Sequence, residues 1–272
     1  MRSRHLLVMG TFALSLLLYV DRSFIATARD GITTDLGLSD TQFGWVLAMF
    51  SLGYALFQTP AGMLSDKVGP RKVLSVVVVF WSVFTAATGA AVNFVTLLIY
   101  RFLFGAGEAG AFPGISRAVY SWIPLKERGL VNGINFSGSR IGGAIAMAAM
   151  PVFIGMFGWR NSFYILGAIG IVWAGFWWMW FRDRPEDKTN ISAEELAYIQ
   201  QTRQEAVDDA AQVTAPKLTT MLSQRNMWIV MAQYICSNFT FFFTLSWLYP
   251  YVKRTYNLDY AEAGFYTMIP LM

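Results

Sequence analysis

The sequence predicts an all-α membrane protein: a bundle of six spanning helices, a polar connecting stretch, then a seventh span and the start of an eighth. Three observations predict it. Of the 272 residues, 55% are hydrophobic and only 14% charged, whereas soluble chains carry about a quarter charged residues. The apolar residues come in blocks of roughly 20, the length that crosses a hydrocarbon core of about 30 Å. The basic residues behind the net charge of +4 lie between those blocks and form no patch. They orient a membrane protein and offer no surface for nucleic acid.

The spans fall at residues 6–28, 41–61, 73–92, 94–118, 130–154, 162–181 and 227–249, with the eighth beginning near 262. Arg2 and Arg4 ahead of the first span, and Ala26-Thr27-Ala28 at its end, imitate a secretory leader. Asp21 and Arg22 inside the run argue against cleavage, because the apolar region of a leader carries no such charges. Between 182 and 225 the composition turns charged and polar. This divides the chain into a six-helix bundle over 1–181, a cytoplasmic linker over 182–225 and the start of a second bundle over 226–272. Within the linker, Ser192-Ala-Glu-Glu195 has the form of a capping box, with Leu196 and Ile199 following at helical spacing. A short amphipathic helix on the membrane surface is expected there.

Orientation follows from charge. With the N-terminus cytoplasmic, thirteen basic residues fall on that side, against Arg29, Arg160, Lys253 and Arg254 on the other. That imbalance puts the N-terminus inside. An internal echo, Gly69-Pro-Arg71 after the second span and Gly158-Trp-Arg160 after the fifth, lies 89 residues apart. It fits two three-helix repeats of inverted topology.

Two absences narrow the chemistry. The only histidine is His5 and the only cysteine is Cys236. No intrachain disulfide, CxxC metal site or histidine-centred triad can form, so neither an enzyme nor a cofactor-binding protein is expected. What stands out instead is charge inside the membrane: Asp21 and Arg22 in span one, Arg101 and Glu108 in span four, Arg140 in span five. Each costs about 2.5–3.5 kcal/mol to insert, so each needs a partner or a task. Arg101 and Glu108 sit about 10 Å apart along one helix face, too far for an easy pair. The economical arrangement is cross-helix, with Asp21 near Arg101 and Glu108 near Arg22 or Arg140. It could be a static neutralising network. It could also exchange: when an arginine is drawn to another anion, the desolvated carboxylate left behind takes a proton. That exchange is the core of proton-coupled anion transport.

Arg140 lies in Gly138-Ser139-Arg140-Ile-Gly142, where Gly138, Gly142 and Ala146 let another helix approach closely. Its planar guanidinium suits bidentate carboxylate binding. Tyr19, on the face of Arg22, and Tyr54 could donate hydroxyls to a polyol or carboxylate. Arg117 is near a helix end and can snorkel to the interface.

The loop Gly62-Met-Leu-Ser-Asp66-Lys-Val-Gly69-Pro-Arg71-Lys72 follows the spacing G-x-x-x-D-[RK]-x-G-x-[RK]-[RK]. Here the sequence resembles the major facilitator superfamily, whose loop between helices two and three carries this pattern. The resemblance implies a conformational gate at Gly62, Asp66, Gly69 and Arg71, latching on the cytoplasmic side. It also makes the chain the first half and the beginning of the second half of a twelve-helix protein. Since the chain ends at Met272 inside the eighth span, it is expected to be a fragment.

A narrower resemblance covers nearly the whole chain. Tyr19-Val-Asp21-Arg22, Tyr100-Arg101 through Glu108 to Pro113, Trp122 to Arg128, Arg182-Asp-Arg-Pro185 and Trp247-Leu-Tyr-Pro-Tyr251 look like the anion:cation symporter family. By resemblance, Asp21 and Glu108 couple protons with Arg101 as a partner, and Tyr19, Arg22 and Tyr54 contact substrate; Ser139 and Arg140 complete the expected binding set. Sugar-acid members often carry Gln where Ser139 stands, which weakens a hexonate assignment and leaves more acidic or aromatic substrates open. The proline that marks antiporters does not follow Gly142, which favours symport.

The expected protein is therefore a monomeric inner-membrane carrier in the lipid bilayer. It would couple protons, or sodium as in some members, to uptake of a small organic anion such as a hexonate, hexuronate, glucarate, aromatic acid or dicarboxylate. The alternatives are an anion exchanger or facilitator without proton coupling, and a transport-inactive sensor.

Overall fold

The structure, a computed structural model, describes residues 2–203 and 218–271; residues 204–217 of the expected linker lie outside the described residues. Helix α1 runs Ser3–Thr27, α2 Arg29–Leu36, α3 Asp40–Val68 and α4 Pro70–Gly89. Helices α5 (Phe94–Glu108) and α6 (Ala111–Trp122) together make one span, and α7 covers Arg128–Trp180. Then come α8 (Ala193–Thr202), α9 (Leu218–Leu222), α10 (Arg225–Tyr256) and α11 (Tyr260–Met268). A continuous helix of the 53 residues in α7 would extend about 80 Å, more than two bilayer cores. It breaks at Gly158 and so supplies the fifth and sixth spans, in agreement with the sequence.

Local chemistry explains the ends. Ser39 opens α3 with a reciprocal capping box: its hydroxyl accepts from the Gln42 N–H, and the Gln42 side chain accepts from the Ser39 N–H. Asn93 and Thr96 do the same for α5. Ser192 accepts from the Glu195 N–H at 3.2 Å, as its motif requires, but the reciprocal half is missing. Instead the Glu195 carboxylate accepts from the N–H groups of Ser3 and Arg4, both at 3.0 Å. Glu195 thus caps α1 from another part of the chain, satisfying donors that have no intrahelical partner. Arg4 continues the junction to Glu127, which also accepts from the Tyr198 hydroxyl.

The two echo positions share a conformation. Gly69 has φ 93° and ψ 150°, and Gly158 has φ 75° and ψ 158°, a region open essentially to glycine alone. The arginines two residues later act reciprocally. Arg71, at the start of α4, donates to the Trp178 carbonyl near the end of α7. Arg160, just past the break in α7, donates to the Gly89 and Ala91 carbonyls at the end of α4. Each repeat's third span closes the other's end.

Helix approach is set by small residues. A Cβ on Gly142 would lie 2.3 Å from the Leu16 carbonyl oxygen, so α1 is the helix admitted by the Gly138–Gly142 face. A Cβ on Gly105 would lie 2.1 Å from the Phe50 carbonyl oxygen, where α3 meets α5. Overpacking of this kind costs about 1–3 kcal/mol. Gly105→Ala is therefore expected to lower the melting temperature of the detergent-purified protein, and an unchanged melt would contradict the close approach.

Candidate functional site: a charged cavity against α10

Four of the five intramembrane charges come from α1 and α5, and Arg140 comes from α7. Arg22, Arg101 and Glu108 are all buried, as is Asp21. Arg22 Nε and Nη2 both donate to Glu108 Oε2, at 3.0 and 2.8 Å. Of the two partners offered to Glu108 by the sequence, the structure selects Arg22. The other Glu108 oxygen has no hydrogen-bond partner. The guanidinium lies in an aromatic cage, with its carbon 4.9 Å from the Tyr19 ring centroid, 5.1 Å from Phe50, 4.7 Å from Tyr54 and 5.7 Å from Phe242. Ring faces attract a desolvated cation, so the cage holds Arg22 in place, with two of its five N–H donors given to Glu108.

The expected pair of Asp21 with Arg101 does not form. Among the described residues Asp21 has no ion pair, and both its oxygens lack hydrogen-bond partners. Arg101 likewise has no carboxylate within ion-pair distance among the described residues. Its guanidinium instead packs over Phe104 at 4.4 Å and Phe50 at 5.2 Å. Arg22 and Arg101 together line a cavity of about 290 Å³ between α1, α3 and α5 on one side and α10 on the other. Phe50, Phe242, Ser246 and Trp247 form much of the rest of its wall. The arrangement offers one guanidinium neutralised by a carboxylate and one that is not, both facing one space.

The remaining expected residues divide. Tyr19 and Tyr54 reach the site through their rings against Arg22. Ser139 is buried and its hydroxyl turns back to the Asn135 carbonyl. Arg140 is exposed, stacked 4.3 Å over Phe241 of α10, and does not line the cavity with Arg22. Phe242, Ser246 and Trp247 were missed by sequence reasoning. Phe242 and Ser246 were marked only by membership of the seventh span, and Trp247 only as the first residue of the Trp247–Tyr251 stretch.

At the loop between α3 and α4, Asp66 is exposed and lies 3.8 Å from Arg117. Gly62 faces Pro113 at ordinary contact distance, and Gly69 is pressed against Asp183, whose carboxylate would be 2.7 Å from a Cβ there. The same carboxylate accepts from the Arg71 N–H at 2.7 Å, capping α4. The Arg71 guanidinium also stacks over the Trp178 ring at 4.7 Å. The loop is thus fastened to the end of the sixth span.

A second cluster lies at the opposite end of the bundle; the sequence reading counted its basic members Arg29, Lys253 and Arg254 for orientation and did not consider its carboxylates. Arg29 pairs with Asp30 at 2.9 Å and with Asp40, Lys253 pairs with Asp30, and Arg254 pairs with Asp40 at 3.0 Å. These residues join α2 and the start of α3 to the last turns of α10. Burial opposes the charge on Asp30, but Lys253 and Arg29 outweigh it and hold the carboxyl below the usual range. A carboxyl depressed in this way stabilises the clamp above its ordinary pKa, and the contribution is lost as pH falls through the depressed value. Spin labels on Thr34 and Thr255 are therefore expected to separate on acidification below the usual carboxylate range. Lys253→Gln should weaken that pH dependence, with the remainder carried by Asp40, which Arg254 and Arg29 also hold below its usual range, and an unchanged response would count against the clamp.

Residues 11–272 match the Major Facilitator Superfamily. The chain belongs to that family. It is 34% identical over 271 residues to a probable sulfoacetate transporter of Cupriavidus necator, covering 100% of this chain and 62% of that protein. It is 34% identical over 254 residues to a probable L-galactonate transporter of Escherichia coli, covering 93% and 55%. A hexuronate transporter of Bacillus subtilis is 32% identical over 266 residues, covering 97% and 60%. The chain therefore spans 55–62% of the length of these relatives. In fold it resembles a bacterial homologue of the human lysosomal transporter Spinster, with TM-score 0.75 and 24% identity, over 97% of this chain and 57% of that one. A D-xylose–proton symporter gives TM-score 0.67 at 16% identity, over 97% and 65%. The chain is thus a multi-pass member of this superfamily, and these three curated relatives are transporters of organic anions and sugar acids.

Proposed function

We propose that the protein is a secondary active carrier that couples proton entry to uptake of a small organic anion by alternating access. It would lie in the inner membrane with its N-terminus in the cytoplasm. The observation that carries the reading is the cavity shared by Arg22 and Arg101, with two buried carboxylates, Asp21 and Glu108, behind it. The anion enters between the two guanidiniums. It competes with Glu108 for Arg22, and the displaced carboxylate, desolvated and unpaired, takes a proton. Asp21 holds a second exchangeable proton, away from the anion. The carboxylate expected at Arg140 moves to Arg101, because Arg101 faces the cavity and Arg140 stacks outside it.

The two ends of the bundle supply the gates. The buried residues of α10 all lie in its second half, at Leu245, Tyr249 and Pro250, beside the clamp of Asp30, Asp40, Lys253 and Arg254. Closure at that end and release at the other give one half of an alternating cycle. Asp66 and Arg71, with Gly62 and Gly69, form the gate on the cytoplasmic side.

The relatives' anions (sulfoacetate, galactonate and hexuronate) define the first panel to test. In proteoliposomes, an inward proton gradient is expected to drive accumulation of at least one of them, and collapse of the gradient should abolish it. Accumulation that ignores the gradient, or exchange alone, would establish an exchanger instead.

A further inference from the structure

The end of α7 lies beside the start of α1, where a Cβ on Gly10 would meet the Trp177 ring at 3.5 Å. Just beyond that end, Met179, Trp180, Arg182, Lys188 and Asp187 line a cavity of about 190 Å³. Its two cations are held from one side only. Arg182 Nη1 donates to the Met179 and Phe181 carbonyls at 2.9 and 2.8 Å. Lys188 Nζ donates to the Trp180 carbonyl at 2.9 Å and lies 4.0 Å over the Trp180 ring. Successive carbonyls at the helix end thus bring the two side chains together. A guanidinium has five N–H donors and an ammonium three, so most of these donors have no acceptor among the described residues.

No carboxylate closes on either cation. Among the described residues neither Arg182 nor Lys188 makes an ion pair. Of the neighbouring acids, Asp183 accepts from the Arg71 N–H and Glu186 pairs with Arg203 at 2.6 Å. Asp187 stands exposed on the cavity wall, without an ion pair among the described residues. Burial, and after it the Arg182 charge, hold Lys188 below the usual lysine value. Like charges sharing one cavity repel until an anion joins them. The outer face of α7 leading to the cavity is apolar and bare. Val172, Phe176 and Met179 follow at helical spacing and are 73%, 47% and 69% exposed, so they form one stripe. That stripe ends at the cavity, where Met179 is part of the wall. The Phe176 and Trp180 rings stack within 3° of parallel, and tryptophan in this position marks the headgroup level of a bilayer.

We propose that this cavity is a headgroup site for an anionic phospholipid: the phosphodiester joins Arg182 and Lys188, and an acyl chain lies along Val172, Phe176 and Met179. Basic pockets at the membrane surface recognise lipid phosphate in this way. Two cations and the Asp187 carboxylate leave one positive charge, which matches the single negative charge of a phosphodiester. A soluble phosphate would satisfy the cations but leave the apolar stripe uncovered. A zwitterionic lipid would bring a cation of its own toward them. The bound lipid also braces a junction. The Arg182 carbonyl accepts from the Trp122 indole N–H at 2.9 Å, and the next residue, Asp183, caps α4 through Arg71. The site is separate from the cavity of Arg22 and Arg101, and its occupancy does not depend on the coupling reading.

The test is lipid binding by the detergent-purified full chain, followed by native mass spectrometry. Phosphatidylglycerol and phosphatidylcholine with the same acyl chains are compared, and the first is expected to bind more tightly. Lys188→Gln and Arg182→Gln should each weaken phosphatidylglycerol about fivefold, the worth of one basic residue at a membrane surface. Asp187→Asn should tighten it. Lys126→Gln, which removes an exposed cation outside the cavity, should leave it unchanged. Glycerol 3-phosphate at millimolar concentration should not displace the lipid. Equal binding of the two lipids, or unchanged phosphatidylglycerol binding in Lys188→Gln, would overturn the proposal. Displacement by glycerol 3-phosphate would overturn it too, by assigning the cavity to a soluble phosphate. Lys188→Gln and Asp187→Asn shift binding in opposite directions, so they decide the matter even if Arg182→Gln does not fold.

Discussion

Asp21→Asn and Glu108→Gln are expected to abolish uphill uptake while leaving different activities behind. One coupled proton and a gradient of one pH unit can sustain about a tenfold accumulation of the cargo. Either variant should bring that ratio to equilibration. In Glu108→Gln the amide no longer competes as a charge for Arg22. Anion affinity should then lose its pH dependence: in the parent it rises as pH falls and Glu108 is protonated, whereas in the variant it stays high across the range. Equilibrium titrations at several pH values check this, alongside counterflow, which should persist. Affinity in Glu108→Gln that still rises on acidification would assign the competing proton elsewhere. In Asp21→Asn the pH dependence of binding should remain, because Asp21 stands apart from the anion and from Arg22.

Arg22→Leu is expected to cause the largest loss of stability. Arg22 and Glu108 form a buried pair in which neither charge reaches solvent. Removing one member of such a pair leaves an uncompensated charge, at about 3–5 kcal/mol, whereas replacing both with apolar groups of similar size is often close to neutral. Thermal unfolding in detergent should therefore rank Arg22→Leu well below the parent and Arg22→Leu/Glu108→Leu close to it. Both proteins should be inactive in transport, since the anion loses its guanidinium in each. A double variant as unstable as the single one would mean that Arg22 acts through its aromatic cage of Tyr19, Phe50, Tyr54 and Phe242 rather than through Glu108.

Much of the architecture was legible because the bilayer imposes a length on every span, and the runs of apolar residues carry that length openly. The break at Gly158 was legible for a related reason: its Gly-x-Arg copy marks a backbone shape that glycine alone supplies, and Arg160 had to serve a helix end as Arg71 does. The Gly138–Gly142 face announced a close helix approach, although not that α1 would be the helix. The site was legible in its members but not in its pairings. Charge alone could place Glu108 against Arg22 or Arg140, and only the packing of α1 on α7 and α10, which sets where Arg22 reaches, decides. The same packing leaves Asp21 and Arg101 apart. Glu195 was half visible: the capping motif placed it at the start of α8, but its carboxylate reaches Ser3 and Arg4, and nothing local encodes that.

The most direct test of the central claim is proton exchange on binding, measured without transport. Purified carrier in weakly buffered detergent, at a pH where Glu108 is ionised, is titrated with a transported anion while proton uptake from solution is followed. If the anion takes Arg22 from Glu108, about one proton should be taken up per anion bound, and the signal should vanish in Glu108→Gln although the anion still binds. Binding with no proton uptake, or the same uptake in Glu108→Gln, would contradict the account.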